Sequence, residues 1–349
     1  MNTIKRIASN TGILLISQII SYAIGFFFII YTARYLGAEG FGIISFALAF
    51  NGIFIIFTEL GLSQLTVREV AREKSLANKY LDNIIGIKLI LAIFTFGLIA
   101  FTINLLAYPM ETVIVVYLIS LSAILNSFSR TFYSIFQAYE KLIYRSCGQI
   151  LESVLMLSGA LFAIFQGFSI IDFAFIYFIV SLIVLGYCFI VSIWKFIKPK
   201  IKICLSFWKN TIKEAIPFGL SGVFVIIYYR IDTVMLSLME NDTVVGWYNV
   251  PYRLISVLLF LPGAFFASFY PVMSRLHTKS KEDIKFAYET SLRYMGIIAF
   301  PTALGINLFA DRIIILIFGD EYISSIPALR ILSWAVFFYV SFLCDTFYS

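Results

Sequence analysis

Ten stretches of mostly apolar residues follow one another along the chain, at about 11–33, 41–66, 81–106, 113–136, 146–166, 170–193, 214–238, 244–271, 286–310 and 325–347. Roughly 20 such residues cross the hydrocarbon core of a bilayer as a helix. Inside lipid every backbone N–H and C=O must be bonded within the protein, and these stretches are far longer than barrel strands, so each is expected to be a membrane-spanning helix. Composition agrees: of 349 residues, 61% are hydrophobic and 13% charged, against about 45–50% and about 25% in a soluble domain. So few charges cannot cover a soluble chain of this size, and 18% aromatic residues exclude disorder. The first apolar run begins at Thr11 and passes Tyr31. That is longer than the roughly 7–15 residues of a signal-peptide core, so it reads as a retained span.

Several chemistries fall away. Cys147, Cys188, Cys204 and Cys344 are widely spaced and form no CxxC pair, so neither a disulfide framework nor a metal site is expected. With His277 the only histidine, a zinc centre or a histidine base is not expected either. No GxxxxGK[ST] motif occurs, which excludes a P-loop ATPase within the chain. No cofactor is expected, and the absence of a nucleophile elbow, a DxD pair or a long outer loop points to transport and not to an enzyme.

The basic residues set the orientation. Most of the 26 Lys and Arg residues lie at the N-terminus (Lys5, Arg6) and in the even-numbered loops. The densest of these loops holds Lys195, Lys198, Lys200, Lys202, Lys209 and Lys213. The positive-inside rule therefore places the N-terminus and these loops in the cytoplasm of a multi-pass protein of the cell membrane. The net charge of +6 is then a topology signal and not one for nucleic acid. Binding of anionic membrane lipid by the stretch 194–213 is the alternative.

That Lys-rich stretch also falls between two halves that resemble each other. Gly42 matches Gly246, Lys74-Ser75 matches Lys279-Ser280, Ile103-Asn104-Leu105 matches Ile306-Asn307-Leu308, and Thr131-Phe132-Tyr133-Ser134 matches Thr346-Phe347-Tyr348-Ser349. The matches are collinear, with one insertion around residues 311–325. An even number of helices per half makes the repeats parallel, an arrangement used by secondary transporters with the substrate site between the halves. The expected organisation is an N-lobe of residues 1–193, a basic cytoplasmic linker at 194–213 and a C-lobe of residues 214–349. The second repeat stops short of the first, so at least two further C-terminal helices are expected in the full protein.

Charges within the spans are functional candidates, because each costs about 2.5–3.5 kcal/mol at a helix centre. In an antiparallel hairpin, residues equidistant from the loop centre lie at one depth. Glu59 and Lys88 are equidistant from the centre between Glu73 and Lys74, Arg130 and Glu152 from Lys141, and Asp232 and Arg253 nearly so from Asp242. Each pair reads either as mutual neutralisation or as a substrate or proton site. Arg230 is the residue left over. It lies nine residues before Met239, about 13 Å along a helix, too deep for easy snorkelling. It either meets an anionic substrate, for which a bidentate guanidinium is suited, or pairs with a partner that counting does not find.

The first helical hairpin carries a family resemblance. Asn10-Thr11-Gly12 through Gln18, Ala33-Arg34-Tyr35-Leu36-Gly37-Ala38-Glu39-Gly40-Phe41-Gly42, Glu59-Leu60-Gly61-Leu62 and Arg68-Glu69-Val70-Ala71-Arg72 resemble the N-terminal signature of the polysaccharide flippases. These are the O-antigen and exopolysaccharide repeat-unit translocases of the multidrug/oligosaccharidyl-lipid/polysaccharide exporter superfamily. Phe318-Gly319-Asp320-Glu321-Tyr322 before the tenth helix also resembles the family in its layout. The resemblance implies an all-α, MATE-like two-lobed transporter with a central cavity of alternating access. It implies as substrate an oligosaccharide linked by pyrophosphate to a polyprenol or dolichol, and a cavity lined by basic residues. The candidates here are Arg230, Arg130, Lys88, Arg253 and Arg34, with Glu59, Glu152 and Asp232 as charge partners. Arg34, beside a Gly-rich turn, reads either as a cap on backbone carbonyls or as a substrate contact.

The expected function is flipping of lipid-linked oligosaccharide repeat units for surface polysaccharide or lipopolysaccharide biosynthesis. An ion-coupled multidrug or metabolite exporter and a non-transporting scaffold for glycan assembly are the alternatives. Expected partners are the lipid-linked substrate, membrane lipids and the glycosyltransferases or polymerase of the same pathway. No nucleic acid is expected, and the chain is expected to act as a monomer.

Overall fold

The computed structural model describes residues 3–200, 204–259, 262 and 281–348. Every regular element among them is helical. The first helix, α1 (Thr3–Phe54), has 52 residues, about 78 Å of rise, more than twice the ~30 Å hydrocarbon thickness. It holds the first expected span and much of the second. The sequence suggests a turn of several residues between them, but the structure uses one residue, Gly37, with φ 68° and ψ −177°. A glycine adopts that left-handed φ at no steric cost, so helical bonding resumes at once on the far side. A second break, at Leu60 (φ 40°) and Gly61 (φ 79°), separates the short α2 (Ile56–Glu59) from α3 (Leu62–Arg72). The second span therefore ends at Glu59 and not near residue 66.

Four antiparallel spans follow within a few residues of expectation: α4 (Ala77–Leu105), α5 (Met110–Ala138), α6 (Leu142–Gln166) and α7 (Ile170–Lys195). Their ends carry ordinary signals. Pro109 precedes α5. Gly167 terminates α6 at φ 71°, and Ser169 with Asp172 forms a capping box that starts α7. Then come α8 (Leu205–Met239) with Pro217 inside it and α9 (Asp242–Leu258) with Pro251. The eighth expected stretch, 244–271, lies partly outside the described residues. After it come α10 (Lys281–Leu308), α11 (Ala310–Phe318), a 3₁₀ turn (Asp320–Ser325) and α12 (Ile326–Tyr348). The stretch 311–325, which falls between the ninth and tenth expected spans, is thus largely helical. Tyr288–Leu308 and Ala310–Phe318 meet at a bend of 71°. Seven of the described helices are long and apolar enough to cross a membrane, and the bent pair makes an eighth.

By contact the chain forms two compact units, Met1–Thr32 with Ile43–Asp242, and Ala33–Gly42 with Thr243–Ser349. The expected lobes divide the chain by sequence repeat and are a different partition. In the first unit, Leu62, Leu65, Leu81, Ile84, Ile135 and Val184 are buried together. Phe136 stacks on Phe196 at 4.9 Å, with Tyr139 and Tyr144 meeting that ring edge-on at 5.3 and 5.5 Å. The basic stretch after α7 is strapped to the start of α4. The Lys200 N–H donates to the Asp82 carboxylate at 2.6 Å, and the Cys204 N–H and the Trp208 indole N–H both donate to the Asn83 side-chain Oδ1, at 3.2 and 3.0 Å.

The surface inverts the soluble pattern. Ile93 and Phe165 are 76% and 86% exposed, whereas hydroxyls pair inside, Ser122 with Ser181 at 2.7 Å and Thr58 with Thr95 at 3.0 Å. Packing between helices in lipid favours small and hydroxyl-bearing residues in this way, because apolar side chains gain nothing by leaving hydrocarbon for one another.

Candidate functional site

The break after Glu59 is where charge enters the first unit. Leu60 and Gly61 both take left-handed φ, which ends the run of i to i−4 bonds and lets α8 come close. A Cβ on Gly61 would lie 2.4 Å from the Ala215 carbonyl oxygen and 2.5 Å from the Gly219 nitrogen. One on Gly219 would lie 2.7 Å from the Leu60 carbonyl carbon. The obstacles are backbone atoms, which cannot swing aside, so the crossing tolerates no side chain at either position.

Just before the break, the Glu59 carboxylate meets three side chains. The Lys88 Nζ lies 3.1 Å away, the Ser63 hydroxyl donates to it at 2.8 Å, and the Arg130 Nη1 is 4.0 Å away. Lys88 has no exposed surface. Its ammonium also donates to the Ser127 carbonyl at 2.8 Å, so it has both an ion-pair partner and a hydrogen-bond acceptor. The Thr58 to Thr95 hydrogen bond ties α2 to α4 beside the pair. Burying an ammonium costs several kcal/mol unless it is paired and hydrogen-bonded, and here both conditions hold. Arg130 is different: its side chain is 55% exposed, so its guanidinium retains donors for another group.

The level pairing of Glu59 with Lys88 is therefore present. Arg130 makes its ion-pair contact with Glu59, and no ion pair between Arg130 and Glu152 is formed. Glu152 remains within electrostatic reach of Arg130. The correction has a simple cause: counting from a loop fixes depth only, and rotation about the helix axis decides which neighbour a side chain meets. The group of Lys88, Arg130 and Glu59 carries one positive charge in excess of its carboxylate.

Arg230, on α8, runs along α1 at Gly52. A Cβ on Gly52 would lie 3.5 Å from the Arg230 Cγ and Nε, so the glycine leaves a track for the arginine stem. Arg230 is engaged in interactions of its own and is not the unmatched cation that level counting suggests. Next to Gly52, the buried Asn51 amide donates to the Ala47 and Val116 carbonyls at 2.8 and 3.3 Å. Asp232 lies on α8 in the first unit and Arg253 on α9 in the second, and their pairing stays an expectation from sequence.

Arg34 belongs to the second unit. Its Nε donates to the Ile317 carbonyl at 2.7 Å and its Nη2 to the Leu316 carbonyl. It therefore caps carbonyls, though those of a helix end about 280 residues away in sequence and not of its own turn. Sequence reasoning missed its companions. The Glu321 Oε1 accepts from the Ala38 N–H at 2.7 Å, the Tyr322 hydroxyl donates to the Ala33 carbonyl at 2.9 Å, and the Trp247 indole N–H donates to the Glu321 carbonyl at 3.0 Å. The signal was present in the Gly319-Asp320-Glu321-Tyr322 run, read only as part of a layout. Among the described residues no group of three or more metal-ligating side chains occurs.

Residues 7–277 match the family described as polysaccharide biosynthesis protein. A stretch of 165 residues is 26% identical to an uncharacterized membrane protein of Methanocaldococcus jannaschii; it makes up 46% of this chain and only 32% of that protein, so the chain spans about a third of the length of that curated relative. Among solved structures, the chain is similar to an inward-facing multidrug resistance MATE family transporter of the MOP superfamily. The TM-score is 0.73 at 16% identity, over 94% of this chain and 80% of the other. It is also similar to a MATE protein in complex with MaD3S, with a TM-score of 0.62 at 16% identity over 99% and 81%. These likenesses establish the fold. The chain is a multi-pass membrane protein with a MATE-type all-helical fold, and it belongs to the polysaccharide biosynthesis protein family.

Proposed function

We propose that this protein is a flippase that moves polyprenyl- or dolichyl-pyrophosphate-linked oligosaccharide repeat units across the cell membrane, with its N-terminus in the cytoplasm. The observation that carries the reading is the excess positive charge that Lys88 and Arg130 set around the single Glu59 carboxylate among the apolar helices of the first unit. A diphosphate crossing a low-dielectric layer needs fixed cations to replace its hydration, and a guanidinium with free donors meets phosphate in bidentate fashion. In this reading Arg130 and Arg230 contact the diphosphate, and Glu59, Glu152 and Asp232 hold the cations when no substrate is bound. Lys88, fully enclosed, supplies field and not contact. The lipid tail stays in the bilayer while residues 1–193 and 214–349 alternate access about the linker at 194–213. The work is transport and not catalysis, and the pathway's glycosyltransferases and polymerase act before and after it on the same carrier.

The test is complementation of a strain that lacks its own flippase. Arg130→Ala and Arg230→Ala are each expected to lower surface glycan at least tenfold, the size of one lost charge-assisted bond, with unchanged membrane insertion. Wild-type glycan in both variants overturns the reading. Resistance to cationic drugs conferred by a chain that restores no glycan assigns it instead to multidrug export.

A further inference from the structure

Two runs distant in sequence, Ala33–Gly42 and Phe318–Tyr322, form one joint within the second unit. At Gly37 the helix bonding of α1 is interrupted. The Ala38 N–H would bond back to the Arg34 carbonyl across Gly37, so the interruption orphans this donor; the Ala33 carbonyl lies in the last helical turn before the break. Two consecutive residues grip the break: Glu321 accepts from the Ala38 N–H at 2.7 Å, and Tyr322 adds a hydrogen bond to the Ala33 carbonyl at 2.9 Å. Tyr322 is completely buried. The exchange is reciprocal. The last carbonyls of α11 lack partners within that helix, and Arg34 donates to those of Leu316 and Ile317, where a cation is also favoured by the helix dipole. Each broken helix is thus capped by the other.

The fit around this exchange is close. A Cβ on Gly37 would stand 2.5 Å from the Glu321 Oε1, and one on Gly246 would stand 1.9 Å from the Ala38 carbonyl oxygen. Trp247, the next residue, holds the Glu321 backbone carbonyl at 3.0 Å. The break in α1 is therefore fixed from both sides, with its carboxylate partner set where only glycine leaves room.

We propose that Glu321 and Arg34 are positioning residues for transport: by capping the break at Gly37 and the end of α11, they hold residues 33–42 of the first helix as a fixed part of the second unit. Neither touches substrate. Their task is to keep residues 33–42 in one conformation within the second unit while the protein works. The transport half of this proposal rests on the flippase reading, and the joint itself does not.

The experiment uses the full chain with Glu321→Gln, Glu321→Asp and Glu321→Ala. Amide hydrogen exchange over residues 33–42 is measured in the purified protein, and glycan export in cells. Glutamine keeps an acceptor oxygen at the same reach and is expected to stay within about threefold of wild type in both readouts. Aspartate keeps the charge but is one methylene shorter; it and alanine are expected to speed exchange and lower export by about tenfold or more, as loss of a charge-assisted bond does. A glutamine variant that fails while aspartate works means that the charge acts and not the acceptor position, and overturns the proposal. Unchanged exchange in the alanine variant also overturns it, as does faster exchange with normal export. If the wild-type chain exports no glycan, the flippase reading fails, and exchange alone then decides whether the joint exists.

Discussion

Lys88 shows how a lysine can reside in the interior of a span. It has no exposed surface, one carboxylate at 3.1 Å and one carbonyl at 2.8 Å. Removing one partner of a buried pair strands the other, at a cost of about 3–5 kcal/mol, whereas replacing both by apolar residues of like size is often neutral. Glu59→Ala is therefore expected to lower thermal stability in detergent strongly, and Glu59→Leu combined with Lys88→Met to recover most of the loss. Equal destabilisation in the single and double variants would show that the pair is not an energetic unit. This pair was legible in the sequence because equal distance from a loop gives equal depth. The Arg130 contact was not legible, since depth leaves rotation about the helix undetermined. Glu59 also sits one residue before a left-handed backbone break, which turns the chain in a way counting cannot follow.

Among the elements, the spans were legible and their breaks were not. Hydropathy registers a run of twenty residues but barely notices one, so α4 to α7 fall near their expected limits, whereas the narrowing of the expected turn to Gly37 alone and the break at Leu60–Gly61 go unannounced. The seventh span and the break after Glu59 depend on each other. Gly61→Ala puts a methyl group 2.4 Å from a backbone oxygen at a residue with φ 79°. It is expected to cost about 1–3 kcal/mol from overpacking, beyond the penalty for left-handed backbone. Gly219→Ala meets the same wall from the other side. Because both insult one crossing, the double variant should lose less than the sum of the two, as measured by the midpoint of thermal unfolding. Strictly additive losses would mean that the helices do not meet there. Gly12→Ala, with open space around its Cβ, is the neutral control.

For the whole molecule, the orientation read from Lys and Arg is open to chemistry. Cys204 is exposed beside the basic strap. The Ser206 hydroxyl, 3.4 Å away, and the Phe207 backbone N–H hold its thiol below the ordinary cysteine range. A lowered thiol holds more thiolate at a given pH, and the thiolate is the reactive form. In a chain with Cys147, Cys188 and Cys344 changed to Ser, a membrane-impermeant maleimide is expected to label Cys204 only after cells are permeabilised, and labelling should persist to lower pH than in the same chain with Ser206→Ala. Labelling in intact cells would invert the topology.

The joint at Gly37 also has a consequence for how the protein is made. Arg34 and Ala38 find their partners 283 residues further along the chain. At about 5–20 residues per second of synthesis, they leave the ribosome roughly 15–60 s before those partners do. For that interval a helix already placed in the membrane carries an open N–H at Ala38 and an uncommitted arginine at position 34. Whatever shields them in the meantime, lipid headgroup, water or the insertion machinery, must release them when residues 316–322 arrive. Closure of this joint would then mark the end of assembly for the first helix, although that helix is the first to be made.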